Sequence, residues 1–157
     1  MKTCIRAVEV VGLFLAGCGL AGAVSAQDSR LASQSLHCAV WMDVLGSAWS
    51  DGQAQAQRFQ RGANILLDVH AKASEARVDG AHVEALKHAL QEKLRKPDPQ
   101  QVAALREEAI VCGAWVEGFL TQGEAYRYVP VYPKVVAISV RSQYGALVDK
   151  VLQTAAQ

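Results

Sequence analysis

Charge of one sign, long runs of β-branched residues, internal repeats and the common catalytic signatures are all missing from this chain. Each absence narrows the field. The sequence carries 16 basic and 15 acidic side chains, and setting aside Lys2, Arg6 and Glu9 leaves 14 of each beyond residue 26. A nucleic-acid binder shows a basic patch or stripe, so a balanced surface without like-charge runs argues against that class. There is no C-x-x-C pair for thiol exchange and no C-x-x-C-H for covalent haem. No G-x-S-x-G elbow, phosphate-cradling glycine loop or H-E-x-x-H helix is present, and no nucleophile stands beside a base. The reading is a protein without catalytic residues, metal ligands or a resident cofactor. Glu107 and Glu108 are the nearest approach to paired carboxylates. Adjacent on a helix, they diverge by about 100° and cannot serve one bond.

What is present begins with the N-terminal segment. Lys2 and Arg6 make a short basic start, Val10 to Ala23 is uncharged and apolar, and Val24-Ser25-Ala26 places small residues at minus three and minus one. This is the pattern of a signal peptide over 1–26, cleaved after Ala26, with one helical domain over 27–157 and a periplasmic destination. A second reading uses Leu15-Ala16-Gly17-Cys18 as a lipobox, which would anchor the chain to a membrane at Cys18. Against it, Glu9 shortens the apolar core before Cys18, and Gly19 to Ala26 stays apolar where a tether would turn polar. The apolar run also falls short of the roughly 20 residues that a retained spanning helix needs.

Cleavage leaves Cys38 and Cys112 as the remaining thiols. In an oxidising compartment the simplest expectation is that they form a disulfide.

Alanine is abundant, which favours helices. A first helix is expected over 29–50, with Leu31, Cys38, Met42, Leu45 and Trp49 on one face and Trp41 beside them. Asp51-Gly52 marks a turn. A second helix over 53–77 places Ala56, Phe59, Ala63, Leu66 and His70 on its apolar side and Gln57, Arg61, Asp68, Lys72 and Glu75 opposite, with Gly62 weakening its middle. Asp79 caps a third helix whose stripe is Val83, Leu86, Leu90 and Leu94, and Pro97 stops it. Asp98 caps the fourth, Pro99 occupies its first position and Gln101 completes a capping box. Its seam is Val102, Leu105, Ala109, Cys112, Val116 and Phe119, ending at Gly123. A last helix over 134–155 uses Val136, Val140, Tyr144, Leu147, Val151 and Leu152. The fold class is all-α: a disulfide-linked bundle of four to five helices with a Tyr- and Pro-containing loop before the last.

Three groups invite a functional reading. His82 and His88 lie on the polar side of the third helix, where Glu84 and Glu92 stand four residues either side of His88, a pattern of solvated ion pairs. Met42 and His70 both fall on apolar stripes and offer the alternative of noncovalent haem or a small molecule held in the core. A core histidine satisfied by its neighbours, beside a space-filling methionine, is the commoner arrangement. Tyr126, Arg127, Tyr128 and Tyr132 cluster around Pro130 and Pro133 in an extended segment. Tyr and Arg are frequent interface anchors, although such rings also cover bundle ends. The sequence is therefore read as an exported helical protein acting by noncovalent binding of another protein, of inhibitor, immunity or stress-chaperone type. The tyrosine segment is its candidate partner-binding element.

Overall fold

The computed structural model describes residues 26–48, 52–123 and 138–155, all of them in or next to five helices. These are α1 (Ala26–Ser47), α2 (Gln53–Ser74), α3 (Gly80–Arg95), α4 (Pro99–Gln122) and α5 (Ile138–Ala155). No strand occurs among the described residues. The all-α, disulfide-linked bundle expected from periodicity is the fold observed. The capping residues set its boundaries. Asp79 accepts from the Ala81 N–H at 3.0 Å, and Asp98 accepts from the Gln100 N–H at 2.9 Å. Both satisfy first-turn amides that lack an intrahelical partner. The Gln101 N–H goes instead to the Asp98 carbonyl at 2.8 Å, so the Asp98 side chain caps one residue earlier than the capping-box pattern places it. α2 stops three residues short of the expected end, at a left-handed Glu75 with φ 53°.

α1 and α2 form an antiparallel hairpin. Gly46 meets Phe59, Met42 lies beside Gly62, and the Ala32 carbonyl meets His70, so positions descend on one helix as they rise on the other. α4 lies across this pair. It is bonded to α1 through Cys38 and Cys112, with Cα atoms 5.0 Å apart. It also packs Val116 against Gly62 of α2, where the missing Cβ permits the approach. Gly62 therefore serves close packing, and α2 runs through it unbroken.

α1 is the hub. Cys38 faces α4, Met42 faces α2, Asp43 pairs with Lys87 of α3, and Val44 lies where α3 and α5 meet. Burial on so many sides explains why Val40, Trp41 and Val44 are buried along with Cys38, Met42 and Leu45 of the expected stripe, whose Leu31 is half-buried and whose Trp49 lies outside the described residues. α4 behaves the same way from Ala109 to Phe119, where Ile110, Val111, Ala114 and Trp115 join the core. Ser35, fully buried on α1, is satisfied inside its own helix by the carbonyls of Leu31 and Ala32 at 2.8 and 3.0 Å. Among the described residues no helix is long and apolar enough to cross a membrane.

Candidate functional site

Polar groups of α2, α4 and α5 converge where α5 packs on α4. Tyr144 points into the bundle and is 1% exposed. Its ring lies over Gly113 of α4, close enough that a Cβ there would overlap three ring atoms. Phe59 of α2 meets the ring edge-on at 6.1 Å between centroids. The Tyr144 hydroxyl donates to Glu117 of α4 at 3.1 Å, and Arg58 of α2 reaches the same carboxylate with Nε and Nη2. Three helices thus meet at Arg58, Glu117 and Tyr144. Hydrogen bonding to Glu117 raises the Arg58 guanidinium above its ordinary value. Burial, reinforced by the Glu117 charge, pushes the Tyr144 phenol well above its own, so it stays neutral and donates.

Two further contacts fasten α5 to α4. Arg141 donates to both oxygens of Glu107 at 2.7 and 2.9 Å. Arg106 donates from Nε and Nη2 to the two oxygens of Asp149, each at 3.2 Å. The hydrogen bond from Arg141 holds the Glu107 carboxyl below the usual carboxylate range. Glu108 looks elsewhere: it lies 3.4 Å from His37 Nε2 and accepts from Trp41 Nε1 at 3.4 Å, both on α1. The two glutamates diverge as the helical rotation requires.

The residues singled out from sequence are placed as follows. Cys38 and Cys112 are joined, and both are buried. Met42 and His70 do not converge. His70 donates Nδ1–H to the Ala32 carbonyl at 2.8 Å, while Met42 lies beside Gly62. Ala32 and Met42 are ten residues apart on one helix, about 15 Å along its axis. A single iron therefore has no His/Met pair to bind between them. His82 and His88 are exposed, but the expected partners of His88 are engaged elsewhere: Glu84 approaches Lys87 at 4.0 Å and Glu92 pairs with Arg95. Among the described residues no three His, Cys, Asp or Glu side chains gather where a metal ion would sit. Tyr126, Arg127, Tyr128 and Tyr132 lie outside the described residues, which take up the chain again at Ile138.

Sequence reasoning missed the Arg58, Glu117 and Tyr144 meeting point and the charges on either side of it. One signal was available: Arg106, Gly113 and Glu117 recur at seven and four residues on α4, a second face beside the apolar seam. A groove of about 300 Å³ also opens where α1, α3 and α5 end, between Val44, Ser47, Gln91, Leu94, Arg95 and Val151. Trp115 is buried with its indole N–H unpartnered among the described residues. Compared with family models, curated proteins and solved structures, the chain matches none of them.

Proposed function

We propose that this is an exported, periplasmic protein that acts by noncovalent binding of another protein, in the manner of an inhibitor, an immunity protein or a stress chaperone. The observation that carries the reading is the frame around residues 124–137. On one side α4 ends at Gly123, whose N–H bonds the Phe119 carbonyl. On the other, α5 is fastened by Arg141 to Glu107 and by Tyr144 to Glu117. The two helices that flank the segment bearing Tyr126, Arg127, Tyr128 and Tyr132 in sequence thus belong to a bundle that a disulfide braces. Tyrosine and arginine side chains supply the anchoring area that protein interfaces use. The disulfide suits an oxidising compartment, and the N-terminal pattern suits export with processing at Ala26.

The test begins with mature protein purified from an exporting host. Its N-terminus should be Gln27, and Cys18→Ala should leave processing and solubility unchanged; an acylated Cys18 would replace the soluble form with the anchored one. A partner recovered from periplasmic extract is then measured as a purified pair. Changing Tyr126 and Tyr128 together to alanine should weaken binding by about tenfold or more, as expected when interface anchors are removed. Unchanged affinity with a large fall in melting temperature would move the binding surface off this segment. A Soret band after haem titration would replace the reading with core ligand binding.

A further inference from the structure

α3 is the helix with the least apolar surface holding it. Of its 16 residues only Leu90 and Leu94 are buried, while Val83 and Leu86 rest half-buried against the edge of the core. By contrast α2 buries Phe59, Leu66, Val69 and Ala73 among others, and α5 sinks Tyr144, Leu147 and Val148. α4 is bonded covalently to α1. Local opening takes least free energy where few apolar groups are buried. The N-terminal end of α3 stands clear of the bundle, since a Cβ on Gly80 would meet nothing within 4 Å. At its other end a groove of about 300 Å³ already lies between Gln91, Leu94 and Arg95 of α3, Val44 and Ser47 of α1, and Val151 of α5.

The ends of α3 are satisfied close to the helix itself. Asp79 accepts from the Ala81 N–H, and the Lys96 N–H donates to the Glu92 carbonyl. The Glu92 side chain pairs with Arg95 one turn on. None of these bonds breaks if α3 moves as a body, and the connections on either side, 75–79 and 96–98, are where a change of angle is absorbed. A polar tie to the bundle comes from Lys87, which donates to Asp43 of α1 at 2.6 Å, with the two side chains 22% and 24% exposed.

We propose that α3 is a lid: it lifts as a unit from a frame of α1, α2, α4 and α5, and lifting widens the groove beside Leu94 by moving one of its walls away from Val44 and Val151. The Lys87–Asp43 pair is the catch that sets how far the closed form is favoured. Breaking it on opening returns both charges to water, whereas removing one partner in the closed form leaves the other half-buried and alone. The lid stands or falls independently of the binding of a partner protein.

The test is hydrogen exchange of the full mature chain at pH 7, read residue by residue by NMR at several urea concentrations below the unfolding transition. A 16-residue helix is marginal in water once detached, so its amides exchange when it lifts. Residues 84–95 should exchange at least about tenfold faster than the slowest amides of α1, α2 and α4. Their rates should also rise together with urea, the mark of a unit that exposes surface as it opens. Asp43→Asn should quicken 84–95 by a further factor of about three to ten and leave α2 and α4 at parental rates. Glu92→Gln, which breaks an exposed pair inside α3, should change little. Lys87→Met, which keeps most of the side-chain stem, repeats the measurement if Asp43→Asn does not fold. Exchange of 84–95 that matches the other helices and follows global unfolding overturns the lid. So does urea-independent exchange that varies from amide to amide, which is fraying. Acceleration of every helix alike by Asp43→Asn, or of α3 equally by Glu92→Gln, overturns the catch.

Discussion

Gly113→Ala sets two well-measured effects of opposite sign against each other. In an unencumbered helix interior, alanine for glycine stabilises by about 0.5–1 kcal/mol, because the unfolded glycine has more freedom to lose. At 113 the added methyl would overlap the Tyr144 ring. The ring has little room to yield, with Phe59 at its edge and its hydroxyl on Glu117 at 3.1 Å. The methyl is accommodated only if α5 shifts outward or Tyr144 leaves its rotamer, and such overpacking costs roughly 1–3 kcal/mol. The clash should win, for a net loss of about 1–2 kcal/mol and a melting temperature lower by roughly 3–6 °C. Gly80→Ala is the matched control, since a Cβ there meets nothing within 4 Å. It should be neutral or stabilise by up to about 1 kcal/mol. Urea titrations followed by circular dichroism read both variants. Repeating Gly113→Ala in a Tyr144→Leu background should shrink its cost, because the ring it collides with is gone. A Gly113→Ala protein as stable as the parent would refute the placement of Tyr144 across α4.

Three further outcomes follow from the same geometry. Oxidised protein should show no free thiol at Cys38 or Cys112 on alkylation and mass spectrometry, and Cys112→Ser should lose up to about 4–5 kcal/mol for a 74-residue separation in the chain-entropy account. Glu75→Gly should stabilise the protein by roughly 0.5–1 kcal/mol in thermal unfolding, because a left-handed residue closing α2 carries a side-chain penalty that glycine lacks. Tyr144 has a raised folded pKa, so its contribution is complete below the free phenol value near 10 and is lost as pH climbs through the folded value. Alkaline unfolding followed at 295 nm should therefore carry a phenolate step that Tyr144→Phe removes.

Helix positions were legible because capping residues and heptad-like spacing are local. Asp79, Asp98, Pro99 and Gly123 stand where the chain starts and stops its helices. Of the four cysteines, Cys38 and Cys112 were paired by expecting the N-terminal segment with Cys4 and Cys18 to be removed, and the structure joins that pair. Burial was read too narrowly. Periodicity assigns one apolar stripe per helix, whereas α1 and the second half of α4 contact neighbours on several sides, so Trp41, Ile110, Trp115 and Val148 are core residues without belonging to an expected stripe. The His88 pairs were misjudged because i, i+4 spacing does not say which of several reachable cations a glutamate takes. The convergence of Arg58, Glu117 and Tyr144 was only half legible, since the second face of α4 formed by Arg106, Gly113 and Glu117 does not say which helices pack against it.

The helix with the most neighbours is also the first one in the described chain. Whether the polypeptide emerges from a ribosome or from an export pore, α1 appears before the four helices that pack on it. α2 arrives next and shields one side, but the sulfur that Cys38 requires lies beyond α3, and α5 comes last of all. The covalent tie from α1 therefore waits until α2 and α3 have been made. A chain halted before residue 112 would carry Cys38 without its cross-link and α1 without the buried second half of α4, a condition that invites aggregation. Closure of the cross-link is set by the arrival of α4, so the making of α1 and its covalent fixing are separated in time by the whole of α2 and α3.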